Sequence, residues 1–171
     1  MEEVILVNEQ DEQVGQMEKM EAHIKGILHR AFSVFIFNDR NEMLLQQRSI
    51  SKYHSGGLWT NACCSHPRPA EETEAAATRR LQEELGFITP LTKIFDFHYN
   101  AAFSNGLTEH EFDHVYVGRY SGKITPNPAE VQDYCYKKME EIAATISSHP
   151  HKYTAWFCIA FPKVADWLME R

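Results

Sequence analysis

No stretch of the 171-residue sequence approaches the roughly 18 consecutive apolar residues that a membrane span needs. The N-terminus also reads as wrong for export. Met1-Glu2-Glu3 is acidic where such a peptide starts basic, and Val4–Val7 is far too short for its apolar region. Basic residues are in deficit: the formal net charge is −7, which argues against a general nucleic-acid surface. Any anionic ligand must therefore meet a local cluster of Lys and Arg. Cysteines are few, and two are adjacent (Cys63, Cys64, Cys135 and Cys158), which suits a disulfide framework poorly and reduced thiols well. There is no internal repeat, low-complexity tract or linker, so residues 1–171 are read as one domain. These absences predict a soluble, cytoplasmic protein without membrane or nucleic-acid partners. What is present is 43% hydrophobic and 12% aromatic residues, enough for one core, and nine histidines, which raise the expectation of a metal site.

The periodicities predict an α+β domain, a mixed sheet flanked by helices. Val4–Val7 reads as a short strand before a polar turn that runs through Gly15. Ala31–Phe37 (AFSVFIF) reads as a buried strand, Asn38–Asn41 as a turn and Glu42–Arg48 as the returning arm of a hairpin. Leu58–Cys64 reads as extended. Glu71–Leu85 is rich in Ala, Glu, Arg and Leu and is stopped by Gly86, a helix. Leu91–Ala101, Glu111–Tyr120 and Val131–Tyr136 are expected strands; Glu140–Ser147 and Thr154–Met169 are expected helices, the last apolar along Trp156, Ile159, Ala160, Val164 and Leu168.

The segment from Ser65 carries a specific spacing: Ser65, five residues, Glu71, seven residues, then Arg79-Arg80-Leu81-Gln82-Glu83-Glu84-Leu85-Gly86-Phe87. It resembles the Nudix box, G-x5-E-x7-R-E-U-x-E-E-x-G-U, in which helix carboxylates hold hard cations that grip a diphosphate. Glu71, Arg79, Leu81, Glu83, Glu84 and Gly86 match. Ser65 replaces the box glycine, Arg80 replaces a carboxylate, and Phe87 stands at an aliphatic position. A solvated acidic helix with i,i+4 pairs such as Arg80–Glu84 would explain the composition but not the spacing. Arg80 reverses a charge inside the metal-binding set, yet a guanidinium suits direct contact with phosphate oxygens.

A second signal is Trp59-Thr60-Asn61-Ala62-Cys63-Cys64-Ser65-His66-Pro67. With His23, His29–Ser33, Leu44–Arg48, Tyr99 and Glu109-His110-Glu111, it resembles the type I isopentenyl-diphosphate isomerases, a Nudix-fold family, over about Asn8 to Trp156. On extended chain, Cys64 and His66 share a face, as do Glu109 and Glu111. Together with His23 and His29 they offer a mixed N/O donor set suited to Mg²⁺, Mn²⁺ or Zn²⁺. The resemblance implies that His23, His29, His66, Glu109 and Glu111 bind this metal. It implies Cys64 and Glu111 as the proton-transfer pair, Tyr99 as an assisting hydroxyl and Trp156 as the aromatic facing a carbocation-like state. Lys19, Arg48, Lys52 and Arg80 take anion-binding positions, and a second Mg²⁺ would bridge the diphosphate and Glu84, helped by the Cys64 carbonyl. His54, His98, His110, His114, His149 and His151 match no ligand position and read as ordinary core or surface histidines, and Cys63 is given no role.

The implied activity is interconversion of isopentenyl and dimethylallyl diphosphate in isoprenoid biosynthesis, by a monomer. Two rivals remain at this point. A Nudix hydrolase of a nucleoside diphosphate derivative needs the carboxylate that Arg80 replaces. A non-catalytic binding module would be expected to lose the metal and proton-transfer residues.

Overall fold

The computed structural model describes all 171 residues. A nine-stranded mixed sheet forms its centre. β1 (Glu3–Val7) and β2 (Gln13–Glu18) make an antiparallel hairpin. Its turn is built on Asn8, whose side-chain oxygen accepts the N–H groups of Gln10 and Glu12, each at 3.0 Å. Helix α1 (Lys19–Lys25) follows at once, capped by the Glu18 carboxylate on the Glu21 N–H at 2.9 Å. Neither β2 nor α1 was expected. β2 (QVGQME) is polar and largely exposed, so it carries no apolar alternation. α1 has 7 residues, too few to show a helical period.

β3 (His29–Phe37) is the central strand. It runs parallel to β8 (Thr108–Arg119), in register from His29 opposite Glu111 to Phe37 opposite Arg119. Its other edge meets β1, β6 (Cys63–Ser65) and β4 (Met43–Arg48) in turn, all antiparallel. Burial on both faces explains why its sequence is a continuous apolar run rather than an alternating one. β7 (Thr92–Ala102) pairs with β8, while β5 (Trp59–Thr60) and β9 (Val131–Lys137) pair with β4. The extended reading of Leu58–Cys64 is broken into β5 and β6. The buried Asn61 amide makes the break by donating to the carbonyls of Val34 and Cys63 at 2.9 and 3.0 Å.

Side chains of β3 alternate between two layers. Phe32, Val34 and Ile36 pack under α2 (Thr73–Leu85) with Ala76, Ala77, Leu81 and Leu85. Phe35 and Phe37 pack the other way, against Ile142 of α3 (Met139–Ser148) and Phe157, Ala160 and Val164 of α4 (Ala155–Met169). Each fully buried aromatic or aliphatic side chain of this kind contributes about 1.5–3 kcal/mol. Gly86 ends α2 in the left-handed conformation, φ 77°, and a Cβ there would stand 2.6 Å from the Thr125 carbonyl oxygen. The register therefore gathers His29, Glu111 and, through Ser33 opposite Cys64, the conspicuous thiol around the first half of β3. No helix is long and apolar enough to cross a membrane.

Candidate active site

Five buried side chains converge from four places in the chain: His23 from α1, His29 from β3, His66 just beyond β6, and Glu109 and Glu111 from one face of β8. One donor atom from each lies within 4.8 Å of all the others. The imidazoles are oriented from behind. Nδ1 of His23 meets the Lys19 carbonyl at 2.7 Å and Nδ1 of His29 meets the Ile27 carbonyl at 2.8 Å, which turns Nε2 of both inward. Nε2 of His23 then faces Glu109 at 3.0 Å; those of His29 and His66 face Glu111 at 3.2 and 2.6 Å. Burial would raise the Glu111 carboxyl, but its contacts with Glu109, His66 and His29 hold it well below the usual carboxylate range. Burial lowers His66; in His23 burial is outweighed by Glu109 and the imidazole is raised. The second oxygen of Glu109, Oε2, is buried with no partner. A buried carboxylate with one oxygen unpartnered, in a cluster with three imidazoles and a second carboxylate, fits a divalent metal ion, and this set can coordinate one.

Cys64 stands beside this cluster, half-buried on β6. Its Sγ receives the Trp156 indole N–H at 2.9 Å, donates to Asn61 Oδ1 at 3.0 Å and lies 3.5 Å from Ser33 Oγ. Ser33 in turn donates to Asp113 Oδ2 at 2.7 Å. Burial, and then the Asp113 charge, push the thiol up to about 12. Asp113 is itself raised well above its ordinary value, by burial and by the neighbouring Glu111 charge. Cys64 is therefore a proton-carrying thiol. Tyr99 donates to Glu111 Oε1 at 2.6 Å. Cys64, Glu109, Glu111 and Trp156 line one cavity of about 20 Å³. Neighbouring Cys63 points into the core under α2.

That cavity shares Arg48, Tyr53, Cys64, Ser65 and His66 with a polar one of about 100 Å³. Lys19, Arg48, Lys52 and Arg80, the four cations singled out in the sequence, all line this second cavity. Arg48 is buried with Nε unpartnered, a charged donor without an acceptor. Two acids the sequence reading missed occupy the others: Glu2 pairs with Lys19 at 2.8 Å, and Glu130 pairs with Lys52 and, at 3.2 Å, with Arg80. Glu84 is not brought into the five-residue cluster. It is buried behind Arg80, 2.7 Å from its guanidinium, and accepts from Gln46 at 2.8 Å. Trp156 turns its N–H edge to Cys64, and its ring carries the Arg48 guanidinium 5.1 Å from the centroid. His54, read as ordinary, is buried against Glu109. Its only signal in the sequence is its place between Lys52 and the Gly56-Gly57 pair, which fixes no partner.

The fold and this box-bearing helix define a class. The NUDIX domain family matches residues 27–157. A crystal structure of a Deinococcus radiodurans protein superposes with a TM-score of 0.78 at 21% identity, over 95% of this chain and 98% of that one. The MutT protein from Methanosarcina mazei does so with a TM-score of 0.66 at 18% identity, over 80% and 91%. Sequence relatives narrow the class. The isopentenyl-diphosphate delta-isomerase of Pectobacterium atrosepticum is 51% identical over 96% of this chain and 92% of that protein. The protein of the same name from Serratia proteamaculans is 46% identical over 99% and 95%. The chain belongs to the isopentenyl-diphosphate delta-isomerase family within the NUDIX fold.

Proposed function

We propose that this protein interconverts isopentenyl and dimethylallyl diphosphate in isoprenoid biosynthesis. The observation that carries the reading is the joining of two cavities: one holds the Cys64 thiol and the Glu111 carboxylate, the other four cations. The diphosphate lies among Lys19, Arg48, Lys52 and Arg80, where guanidinium and ammonium groups match phosphate oxygens. The five-carbon chain then reaches towards Cys64 and Glu111. One of these groups delivers a proton to the terminal methylene carbon, leaving positive charge on the tertiary carbon. The other removes a proton from the carbon next to the CH₂–O group, so the double bond moves by one position and the proton count balances. In the reverse direction the donor and acceptor exchange roles. Tyr99 holds Glu111, and the aromatic wall at Trp156 stabilises the transient cation without reacting with it.

His23, His29, His66, Glu109 and Glu111 would hold a divalent ion, Mg²⁺, Mn²⁺ or Zn²⁺, which would supply positive charge that fixes Glu111 and tunes its acidity. Glu84, helped by the Cys64 carbonyl, would hold a second ion, Mg²⁺, which would neutralise charge on the diphosphate. The whole chain, 1–171, works as one domain, since α1, β8 and α4 all contribute side chains to the site. It works in the cytoplasm as a monomer without nucleic-acid or membrane partners, a reading supported by four unbridged cysteines and a net charge of −7.

Turnover in deuterated water tests the assignment. Deuterium should enter dimethylallyl diphosphate as the double bond moves, only in metal-loaded protein. Release of inorganic phosphate without double-bond movement would favour hydrolysis instead.

A further inference from the structure

His54 lies in the loop 49–58 between β4 and β5, and only 5% of it is exposed. The loop reaches inward because Ser55 and Gly57 take left-handed backbone angles, φ 55° and 80°. Gly56 passes so close to Ile50 that a Cβ would sit 2.8 Å from its carbonyl oxygen. Both ring nitrogens and the backbone carbonyl of His54 are engaged. Nε2 contacts Glu109 Oε1, Nδ1 meets the Ser55 hydroxyl at 3.0 Å, and the backbone carbonyl accepts from Arg48 at 3.2 Å. The ring stacks on Phe103 at 4.8 Å and meets Trp156 edge-on at 5.7 Å.

An ordinary buried histidine needs no more than a satisfied ring. Here the partner is a carboxylate of the metal cluster, and the other neighbours are the aromatic wall and an anion-binding arginine. Glu109 Oε1 is shared by His54 and His23, whereas Oε2 has no partner. When His23 turns its Nε2 lone pair to a cation, His54 is the donor left on Oε1. The tautomer is set by Glu109: its carboxylate oxygen only accepts, so Nε2 carries the hydrogen and Nδ1 is left to accept from the Ser55 hydroxyl.

We propose that His54 is a positioning residue of the metal centre: its Nε2–H fixes Glu109 through Oε1, leaving Oε2 to bind the cation, while its ring braces Trp156 beside the Cys64 thiol. The loop thereby ties the metal ligand to the aromatic wall. This inference rests on the five-residue cluster being a metal centre.

The test times Zn²⁺ release to a chromogenic chelator from native protein, His54→Phe and His54→Gln, with far-ultraviolet dichroism to establish folding and with kcat and KM beside it. His54→Phe keeps the stacked ring and loses the donor; release should quicken by about tenfold or more, and kcat should fall more than KM rises. His54→Gln can return an N–H to Oε1 and should recover much of the retention. Equal release from native and His54→Phe protein, or no recovery in His54→Gln, overturns the proposal. Where His54→Phe does not fold, Ser55→Ala decides. It removes the hydroxyl that supports Nδ1 as an acceptor, and release about twofold faster supports the proposal while native release overturns it. Native protein that retains no Zn²⁺ overturns the metal-centre reading and this inference with it; retention by native and His54→Phe alike overturns the inference alone.

Discussion

The Trp156 indole N–H donates to the Cys64 sulfur across 2.9 Å, although 92 residues separate the two in the chain. The contact joins the start of α4 to β6 and directs a donor at the sulfur proposed to hold and release a proton. A donor stabilises a thiolate, but here burial dominates and the thiol stays protonated, raised from 9.0 to about 12.

The first prediction concerns that thiol. At any pH below about 9, Cys64 should hold about a thousandfold fewer thiolates than a free cysteine, the difference between 9.0 and about 12. The sign follows from the raised value: the neutral form persists as pH rises. Iodoacetamide labelling of Cys64, followed by peptide mass spectrometry, should therefore climb steadily from pH 7 to pH 10 without a plateau. Trp156→Phe removes a donor to sulfur and should slow labelling further at each pH. A plateau near pH 7 in the native protein would contradict both statements.

The second prediction concerns the proton-transfer pair. Cys64→Ala and Glu111→Gln should each lower interconversion of isopentenyl and dimethylallyl diphosphate by about a thousandfold or more, with the fold retained. Tyr99→Phe removes one hydrogen bond to Glu111 and should cost about tenfold. Near-native turnover in either of the first two variants would remove that residue from the chemistry.

Metal retention gives the third prediction. His23→Ala removes an imidazole whose Nδ1 is held by Lys19 and whose Nε2 faces Glu109, so it should lose the bound ion and the activity together. Elemental analysis after gel filtration checks the first and an isomerase assay the second. A metal-free preparation with full turnover would exclude the cluster from the mechanism.

How much of this was legible in the sequence depended on how local each signal is. β3, α2 and α4 announce themselves, since a buried strand, a glycine-stopped helix and an apolar helix face are written in contiguous residues. The left-handed Gly86 follows from α2 ending there, but its closeness to Thr125 does not. The five cluster residues could be grouped only through family resemblance, because the parallel β3–β8 register that sets His29 beside Glu111 leaves no local trace. Glu2, His54 and Glu130 escaped for the same reason. Each reaches its partner through tertiary contact, and an acid or imidazole in a loop or at a strand end looks like any solvated side chain.

Arg80 gives the last prediction. Its guanidinium is held by Glu83 at 2.9 Å, Glu84 at 2.7 Å, Glu130 at 3.2 Å and the Ser65 hydroxyl at 3.2 Å. Burial works against its charge and the carboxylates outweigh it, so the residue is a fixed cation. Arg80→Gln leaves Glu84 buried without its counter-ion and removes a proposed phosphate contact. KM for isopentenyl diphosphate should rise about tenfold or more, and thermal stability should fall by about 1–3 kcal/mol. Arg80→Glu restores the carboxylate of the Nudix box but adds a like charge beside three others. It should be less stable than Arg80→Gln in low salt, with part of the difference removed by raising ionic strength, because only its exposed share is screened. Should Arg80→Glu instead match the native protein in stability and KM, the guanidinium would be a surface feature of α2 and not part of the diphosphate grip.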